Sequence, residues 1–274
     1  MKIILSRKGF DGSNGGCACP IMPDGAMLSM PIPDEYSNDS YSDLHYGDLS
    51  YSELLSQLNP KTTYNNCHLD PDIRLGVRKT EPNGWVPAFG QISSSNTYLQ
   101  NQNVAVGDLF LFFGWYHKVI EENGRYRYTA KTDFKQEPSF YDFSDIHAIW
   151  GYMQIGDIIT NKDKIKELYW HPHSTENMLK DETNTLYLPA KTLSFDENLP
   201  GSGTLNYHPG RVLTMEGQTM ANWIPHSFLM PENICGNRTN SSKCGGLYYR
   251  GIWQELVLKE SEESEEWAKR IISK

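Results

Sequence analysis

The chain has 274 residues, of which 38% are hydrophobic, with 16 Tyr, 7 Trp and 15 Pro. This length and composition are typical of a soluble, loop-rich protein that contains substantial sheet and can bury a real core. The formal net charge of -9 argues against extended, non-specific binding along nucleic acid, because proteins that neutralise many phosphates are usually basic.

Neither a membrane span nor a disulfide framework is predicted. No apolar run approaches the length needed to cross a bilayer, and the first residues lack the pattern of a signal peptide. The five cysteines are odd in number, and neither the Cys17 and Cys19 pair nor the Cys235 and Cys244 pair has zinc-site spacing. We therefore expect a cytoplasmic protein with free thiols and no membrane partner.

A glycine-rich loop follows a predicted strand of residues 1–5 and contains Ser6, Arg7, Lys8 and Asp11. Such a loop can turn backbone N–H groups inward, and here it adds two cations and a carboxylate. Its glycine spacing matches neither the dinucleotide nor the nucleoside-triphosphate pattern. A tight turn with solvated charges is the alternative. We expect Asp11 to be catalytic and the other three side chains to bind substrate, with Arg7 and Lys8 on phosphate.

Two local elements are predicted next along the chain. Residues 27–32 look like a short strand, because prolines close it, and we expect it to lie beside residues 1–5. Residues 50–58 predict a short helix capped by Ser50, with an apolar face and an end at Asn59-Pro60.

The second polar cluster is His68, Asp70, Asp72 and Arg74. In an extended segment the first three side chains would project to one side, where they could bind a cation or position a water. We favour the alternative that Asp70 caps a helix with Pro71 at its first position, and we predict no metal. His68 is a catalytic candidate, and Asp72 and Arg74 are candidates for substrate binding.

Three amides, Gln91, Asn101 and Gln102, are further candidates for substrate binding. Amides suit the donor and acceptor edge of a base, although most loop amides only satisfy nearby backbone groups.

The clearest structural pattern is a pair of apolar, aromatic runs at residues 106–116 and 146–157. They predict two central strands, and residues 121–128 predict a hairpin centred on Asn123-Gly124. This pattern of two apolar runs resembles the PUA-like β-barrels, including ASCH and EVE domains, over a core of about residues 104–160. That resemblance implies a pocket that binds a nucleotide or modified base.

In such a pocket Trp115 and Tyr116, near a strand end, would stack on the base. The alternative is that aromatic residues of these strands form the core, which we favour for Phe110, Phe112 and Trp150.

His171 and His173 flank Pro172 after a predicted helix of residues 163–169. Two such imidazoles can ligate zinc, but without a nearby thiol pair or an H-E-x-x-H pattern we prefer hydrogen bonding or proton transfer. We expect His171 to be catalytic and His173 to bind substrate.

The last third of the chain contains a predicted strand at residues 184–189, another at 253–258 and a docking helix at about 260–273. Acidic residues open that helix and basic ones close it, which complements the helix dipole. The fold class is therefore α+β, with a mixed, mainly antiparallel sheet or PUA-like barrel, peripheral short helices and long loops.

The order of several motifs resembles the third nucleotide-modification-associated domain family. The motifs are Ser6-Arg7-Lys8-Gly9-Phe10-Asp11 with Gly15-Gly16, Pro31-Ile32-Pro33, His68-Leu69-Asp70-Pro71-Asp72, Gly107-Asp108-Leu109-Phe110-Leu111-Phe112-Phe113-Gly114-Trp115, His171-Pro172-His173 and Asn184-Thr185-Leu186-Tyr187. The resemblance spans nearly the whole chain, so residues 1–274 are predicted to be a single domain.

The resemblance implies a role in systems that make, recognise or respond to modified DNA bases, including phage defence. One hypothesis is an enzyme, a hydrolase, glycosylase or transferase, acting at the glycosidic bond of a modified nucleotide or locally extruded DNA base. Asp11 would then activate water, and His68 or His171 would handle protons. The alternatives are a modified-base reader without turnover and a structural partner of other modification proteins. No cofactor is predicted.

Overall fold

The computed structural model describes residues 1–61, 63–236, 238 and 241–274. The strands are β1 (Ile3–Arg7), β2 (Cys19–Ile21), β3 (Ile32–Pro33), β4 (His45–Tyr46), β5 (Leu49–Ser50), β6 (Cys67–His68), β7 (Phe89–Gln91), β8 (Leu109–Glu122), β9 (Arg125–Tyr128), β10 (Ile146–Ile159), β11 (Thr185–Pro189), β12 (Thr192–Leu193), β13 (Asp196–Pro200), β14 (Ser202–Thr204), β15 (Ser241–Lys243), β16 (Gly246–Tyr248) and β17 (Glu255–Val257). The helices are α1 (Tyr51–Leu58), α2 (Ser93–Asn101), α3 (Lys162–Glu167), α4 (Glu176–Leu179) and α5 (Glu262–Ser273). Short 3-10 turns lie at Lys131–Asp133, Phe140–Asp142, Pro172–Ser174, Pro209–Arg211, Ser227–Leu229 and Pro231–Asn233.

Nine of the described strands form the central sheet, in the order β17-β1-β8-β10-β11-β7, with β14 beside β10 and with β2 and β9 beside β8. The β1–β8 and β2–β8 pairs are parallel, and the other pairs in this sheet are antiparallel. The predicted α+β class, with a mixed, mainly antiparallel sheet and short helices, is confirmed.

The central strands β8 and β10 read as nearly continuous apolar runs because both faces of the sheet are covered. Phe110 and Phe112 pack into the core on one face, whereas Leu109, Leu111 and Phe113 pack into the core on the other. The strands predicted from these runs are confirmed, and so is the core position of Phe110 and Phe112.

The predicted hairpin between β8 and β9 is also confirmed. Its two turn residues, Asn123 and Gly124, have φ angles of 53° and 76°. Asparagine and glycine tolerate this left-handed conformation better than other residues, which is why the pair is a strong turn signal.

The predicted helices with local end signals are present. Ser50 caps α1 through a hydrogen bond from the Glu53 N–H (3.2 Å), and the Glu53 carboxylate accepts the Ser50 N–H (2.9 Å). At the other end of the chain, α5 buries Trp267 and Ile271 in the core that contains Leu111 and Phe113.

Two local predictions are wrong. Residues 27–32 are not a strand beside β1, because β8 and β17 occupy the two edges of β1. Asp70 does not cap a helix: it follows β6, its peptide bond to Pro71 is cis, and Asp72 forms a backbone bridge with Ala88.

The ends of the sheet approach each other through side chains. Gln91 on β7 donates from Nε2 to Oε1 of Glu255 on β17 at 2.5 Å. Among the described strands, β7 and β17 lie at opposite ends of the sheet order and share no backbone pairing. This side-chain hydrogen bond therefore connects the two ends of the curled sheet.

All five cysteines are free thiols, as predicted. No helix within the described ranges combines the length and the hydrophobicity that crossing a membrane requires.

Candidate functional site

A cavity of about 610 Å³ lies where β1 ends and the glycine-rich loop begins. The loop after β1 forms one wall, together with β6, β7 and the first turn of α2. The 3-10 turn at Pro172–Ser174, β3, α4, Arg238 and the segment before β17 complete the lining. The sheet therefore brings distant segments of the chain to one place.

Three side chains meet in this cavity: His68, Asp70 and His173. One ring nitrogen from each histidine and one carboxylate oxygen lie within 4.8 Å of one another. The two imidazole rings are 5.3 Å apart between centroids and meet edge to face. We call these three residues the HDH cluster.

His173 is held in one tautomer by Asn184, which directly precedes β11. The Asn184 amide nitrogen donates to the His173 carbonyl at 2.9 Å, so the amide oxygen faces Nδ1 of the ring at 2.7 Å. Nδ1 therefore carries the hydrogen, and Nε2 keeps its lone pair. Burial lowers the pKa of His173 to about 3, although Asp70 opposes that shift. The imidazole is neutral at pH 7.

His68 is oriented by the pairing of β3 with β6. Ile32 lies opposite His68 in this pair, which brings Asp34, just after β3, alongside the imidazole. Nδ1 of His68 is 3.0 Å from Oδ2 of Asp34. The hydrogen bond from His68 lowers the pKa of Asp34, so the ionised carboxylate accepts the Nδ1 hydrogen and orients the ring.

Asp70 is a buried carboxylate with several donors around it. The Gly90 N–H donates to Oδ1 at 2.6 Å, and Nζ of Lys8 is 3.4 Å from Oδ2. Burial alone would raise the pKa of Asp70, but the Lys8 ammonium and the His171 imidazole outweigh it and hold the pKa well below its usual range. Asp70 is therefore ionised at neutral pH.

His171 stands behind Asp70 and is completely buried. Its Nδ1 accepts the backbone N–H of His173 at 3.2 Å, so Nε2 carries the ring hydrogen. Nε2 lies 3.4 Å from Oδ1 of Asp70. His171 therefore packs behind the Asp70 carboxylate, although its Nε2 makes no hydrogen bond with the described residues.

Gly90 leaves the space that the His173 ring fills. A Cβ atom at this position would lie 2.3 Å from Cδ2 of His173, much closer than real contacts allow. Because its N–H also binds Asp70, Gly90 positions two members of the HDH cluster.

Another wall of the cavity contains Gln91 and Arg238. Nη1 of Arg238 donates to the backbone oxygen of Glu255 at 2.7 Å and is 3.7 Å from Oε2 of the same residue. Glu255 is completely buried, and burial raises its pKa. Its Oε2 has no hydrogen-bond partner in the part of the chain that the structure describes.

Arg7 and Asp11 face each other at the entrance to the glycine-rich loop, with Nη2 of Arg7 3.3 Å from Oδ2 of Asp11. Oδ1 of Asp11 accepts the backbone N–H groups of Ser13 and Asn14, both at 2.8 Å. Asp11 therefore anchors its own loop while it lines the cavity.

The structure brings part of the sequence-predicted set together. The predicted residues that line the cavity are Arg7, Lys8, Asp11, His68, Gln91 and His173. Ser6 and His171 lie directly behind it, with Oγ of Ser6 3.5 Å from Oε1 of Glu255 and His171 against Asp70.

Other predicted residues lie outside the cavity. Asp72 is buried and is held by Arg78 (2.9 Å) and by Nε1 of Trp85 (3.0 Å). Arg74 donates to the Met27 carbonyl at 2.5 Å. Asn101 and Gln102 lie at the C-terminal end of α2, and Trp115 and Tyr116 lie on β8, with the Tyr116 side chain fully buried.

Sequence reasoning missed Asp34, Asn184, Arg238 and Trp253. Asp34 and Asn184 act through histidines that are 34 and 11 residues away along the chain, and no local pattern marks them. Asp70 belongs to a polar cluster that the sequence shows, but a proline directly after it favoured the interpretation as a helix cap rather than as a residue of the site.

Comparison with known proteins gives one match. The model of the family described as "Nucleotide modification associated domain 3" matches residues 2–266, which include every member of the HDH cluster. A search of the curated proteins and a search of the solved structures gave no match.

Proposed function

Because the chain belongs to the nucleotide modification associated domain 3 family, we propose that its cavity binds one modified nucleotide unit and that the protein is an enzyme acting at the glycosidic bond of that unit. The unit is a free nucleotide or a base extruded from DNA. The observation that carries the proposal is the HDH cluster, which places an ionised carboxylate and two imidazole nitrogens within 4.8 Å of one another inside this cavity.

The size and charge of the cavity support a single nucleotide as the ligand. A volume of about 610 Å³ is within the usual range for small-molecule sites and is too small for a duplex. Arg7 and Arg238 line it and supply cations for a phosphate. A net charge of -9 also fits one nucleotide better than a long stretch of nucleic acid.

The HDH cluster supplies the chemistry of hydrolysis. The oxygen of a water, activated by the cluster, would bond to the anomeric carbon while the bond to the base breaks and the base leaves with the electron pair and a proton. The Asp70 carboxylate would stabilise positive charge that develops on the sugar. Asp11, in the same cavity, is a second carboxylate for that role, and His171 would keep Asp70 in place.

Mass spectrometry of modified and unmodified DNA, and of their nucleotides, tests this proposal. We expect the native protein to release a base and Asp70→Asn to reduce that release by at least about 100-fold. Asp48→Asn, on an exposed turn, is the matched control and retains activity. The same measurement with Asp11→Asn shows whether Asp11 as well as Asp70 is needed for base release. Unchanged masses with every substrate would contradict the enzymatic proposal.

A reader of modified bases is the second candidate, and Trp253 favours it. Its indole lines the cavity, and Nε1 has no hydrogen-bond partner among the described residues. Gln91 and Gln254 add amides to the same wall. Binding that depends on the modification but leaves every mass unchanged would establish this function instead.

A further inference from the structure

We propose that His68, Asp70 and His173 bind one divalent transition-metal ion. The proposal deepens the function proposed above, and only the role of the ion in activating water rests on that function.

The spacing of the donors fits a single ion after a small contraction. The three ligand atoms lie within 4.8 Å of one another. Metal bonds of about 2.0–2.2 Å place donor atoms no more than about 4.4 Å apart. Inward shifts of about 1 Å or less would therefore complete the coordination.

Both histidines are oriented as metal ligands are. A ligating imidazole usually donates its other N–H to a carboxylate or carbonyl oxygen, which fixes the tautomer. His68 has this contact to Asp34 at 3.0 Å, and His173 has it to Asn184 at 2.7 Å. In both rings Nδ1 is occupied by this contact, so Nε2 is the nitrogen that remains for an ion.

Asp70 can serve a metal ion and its present partners together. Its side chain is only 4% exposed, and each carboxylate oxygen carries two lone pairs, of which the Gly90 N–H and Lys8 occupy one on each oxygen. Lys8 approaches Oδ2 from the side of the Phe89 ring, with Nζ 4.2 Å from the ring centroid. The ammonium is therefore held by the aromatic face and by Oδ2, while the remaining lone pairs of Asp70 stay available.

The chemistry of the donors narrows the choice of ion. Two imidazoles and one carboxylate suit Zn²⁺, Co²⁺, Fe²⁺ or Mn²⁺ better than Mg²⁺ or Ca²⁺, which prefer oxygen ligands. Three protein ligands would leave at least one position for water, and a zinc ion in such a site would lower the pKa of that water to about 7. The HDH cluster would then activate water through the ion, and with Asp70 bound to the ion, Asp11 would be the carboxylate that stabilises positive charge on the sugar.

Calorimetric titration of the EDTA-treated full chain with zinc chloride or cobalt chloride, without nucleotide, tests the site. We expect one ion per chain, and at least about tenfold weaker binding in His68→Ala, His173→Gln and Asn184→Ala. His208→Ala, outside the cavity, and Cys244→Ser, which removes an exposed thiol, should bind as the native protein does. Thermal denaturation without metal checks that each variant is folded.

Absence of stoichiometric binding, or binding that the folded cluster variants retain, would overturn the proposal. Loss of metal binding together with persistent base release would overturn the role of the ion and leave the proposed function intact. Metal binding without base release from any substrate would support the site and contradict the enzymatic function.

Discussion

Gly90 positions both His173 and Asp70, so the shape of the HDH cluster depends on it. We predict that Gly90→Ala displaces the His173 ring, because the new Cβ would lie 2.3 Å from Cδ2. The free energy of unfolding should fall by about 1–3 kcal/mol, and cobalt affinity should fall at least about tenfold. Denaturant titration and calorimetry measure the two effects.

Gly12→Ala is the matched control for this prediction. Gly12 lies in the nearby loop, and a Cβ there meets no atom within 4 Å. Equal loss of stability and of cobalt affinity in the two variants would contradict the proposed role of Gly90.

Buried neutral histidines should make the protein sensitive to acid. Burial lowers the pKa of both His147 and His173 to about 3, whereas an unfolded histidine titrates near 6.5. Below about pH 6.5 the unfolded chain takes up protons that the folded chain does not, so stability is lost progressively as the pH falls toward 3. Above about pH 7 this contribution is fully present.

We predict that His147→Gln reduces this loss. Nδ1 of His147 accepts a hydrogen bond from Nε1 of Trp223 at 3.0 Å, and a glutamine oxygen can replace that acceptor without titrating. Denaturant unfolding at about pH 7 and about pH 4 should show a smaller difference in the variant than in the native protein, by a few kcal/mol at most. An equal difference in both proteins would show that His147 does not contribute.

How far single residues could be identified from sequence depended on whether their partners are local. His68 and the 171–173 pair were recognisable because histidines and a proline stand close together. Asp34 and Arg238 were not, since each acts through a partner on another strand or loop. Trp115 and Tyr116 were chosen for a strand end, but β8 continues to Glu122 and carries them away from the cavity.

Among the secondary-structure elements, β7 and β17 have a contact that can be tested by substitution. We predict that Gln91→Ala lowers the free energy of unfolding by about 1–3 kcal/mol, because Oε1 of the buried Glu255 loses the amide that donates to it at 2.5 Å. Denaturant unfolding measures the change.

Gln100→Ala is the matched control, since Gln100 lies exposed on α2. A loss of stability in Gln91→Ala no larger than in this control would show that the bridge between the strands adds nothing.

Elements with a regular pattern or a local end signal were predictable, whereas the two-residue strands were not. The apolar runs of β8 and β10, the cap of α1 and the charge pattern of α5 are local signals that survive in the fold. In contrast, β3 and β6 have two residues each, which is too few for any periodicity. Because β3 and β6 bring Asp34 to His68, the residue that orients this histidine could not be found from the sequence.

For the protein as a whole, we predict that ligand binding depends only weakly on salt, because an acidic protein with two cations in its cavity can neutralise few phosphates. If Arg7 and Arg238 are the cations that meet phosphate, raising salt from about 50 to about 200 mM should weaken binding of modified DNA about tenfold or less. Fluorescence titration across this range measures the slope. A loss of about 1,000-fold would indicate six or more phosphate contacts and contradict a site for one nucleotide.

A crystal structure of the protein with zinc and a modified nucleoside monophosphate would test the metal site and the nucleotide site together. We predict an anomalous peak between His68, Asp70 and His173, with the sugar beside the ion and the phosphate near Arg7 and Arg238. A nucleotide bound elsewhere, or a cavity that contains neither ligand at saturating concentrations, would contradict the assignment of the functional site.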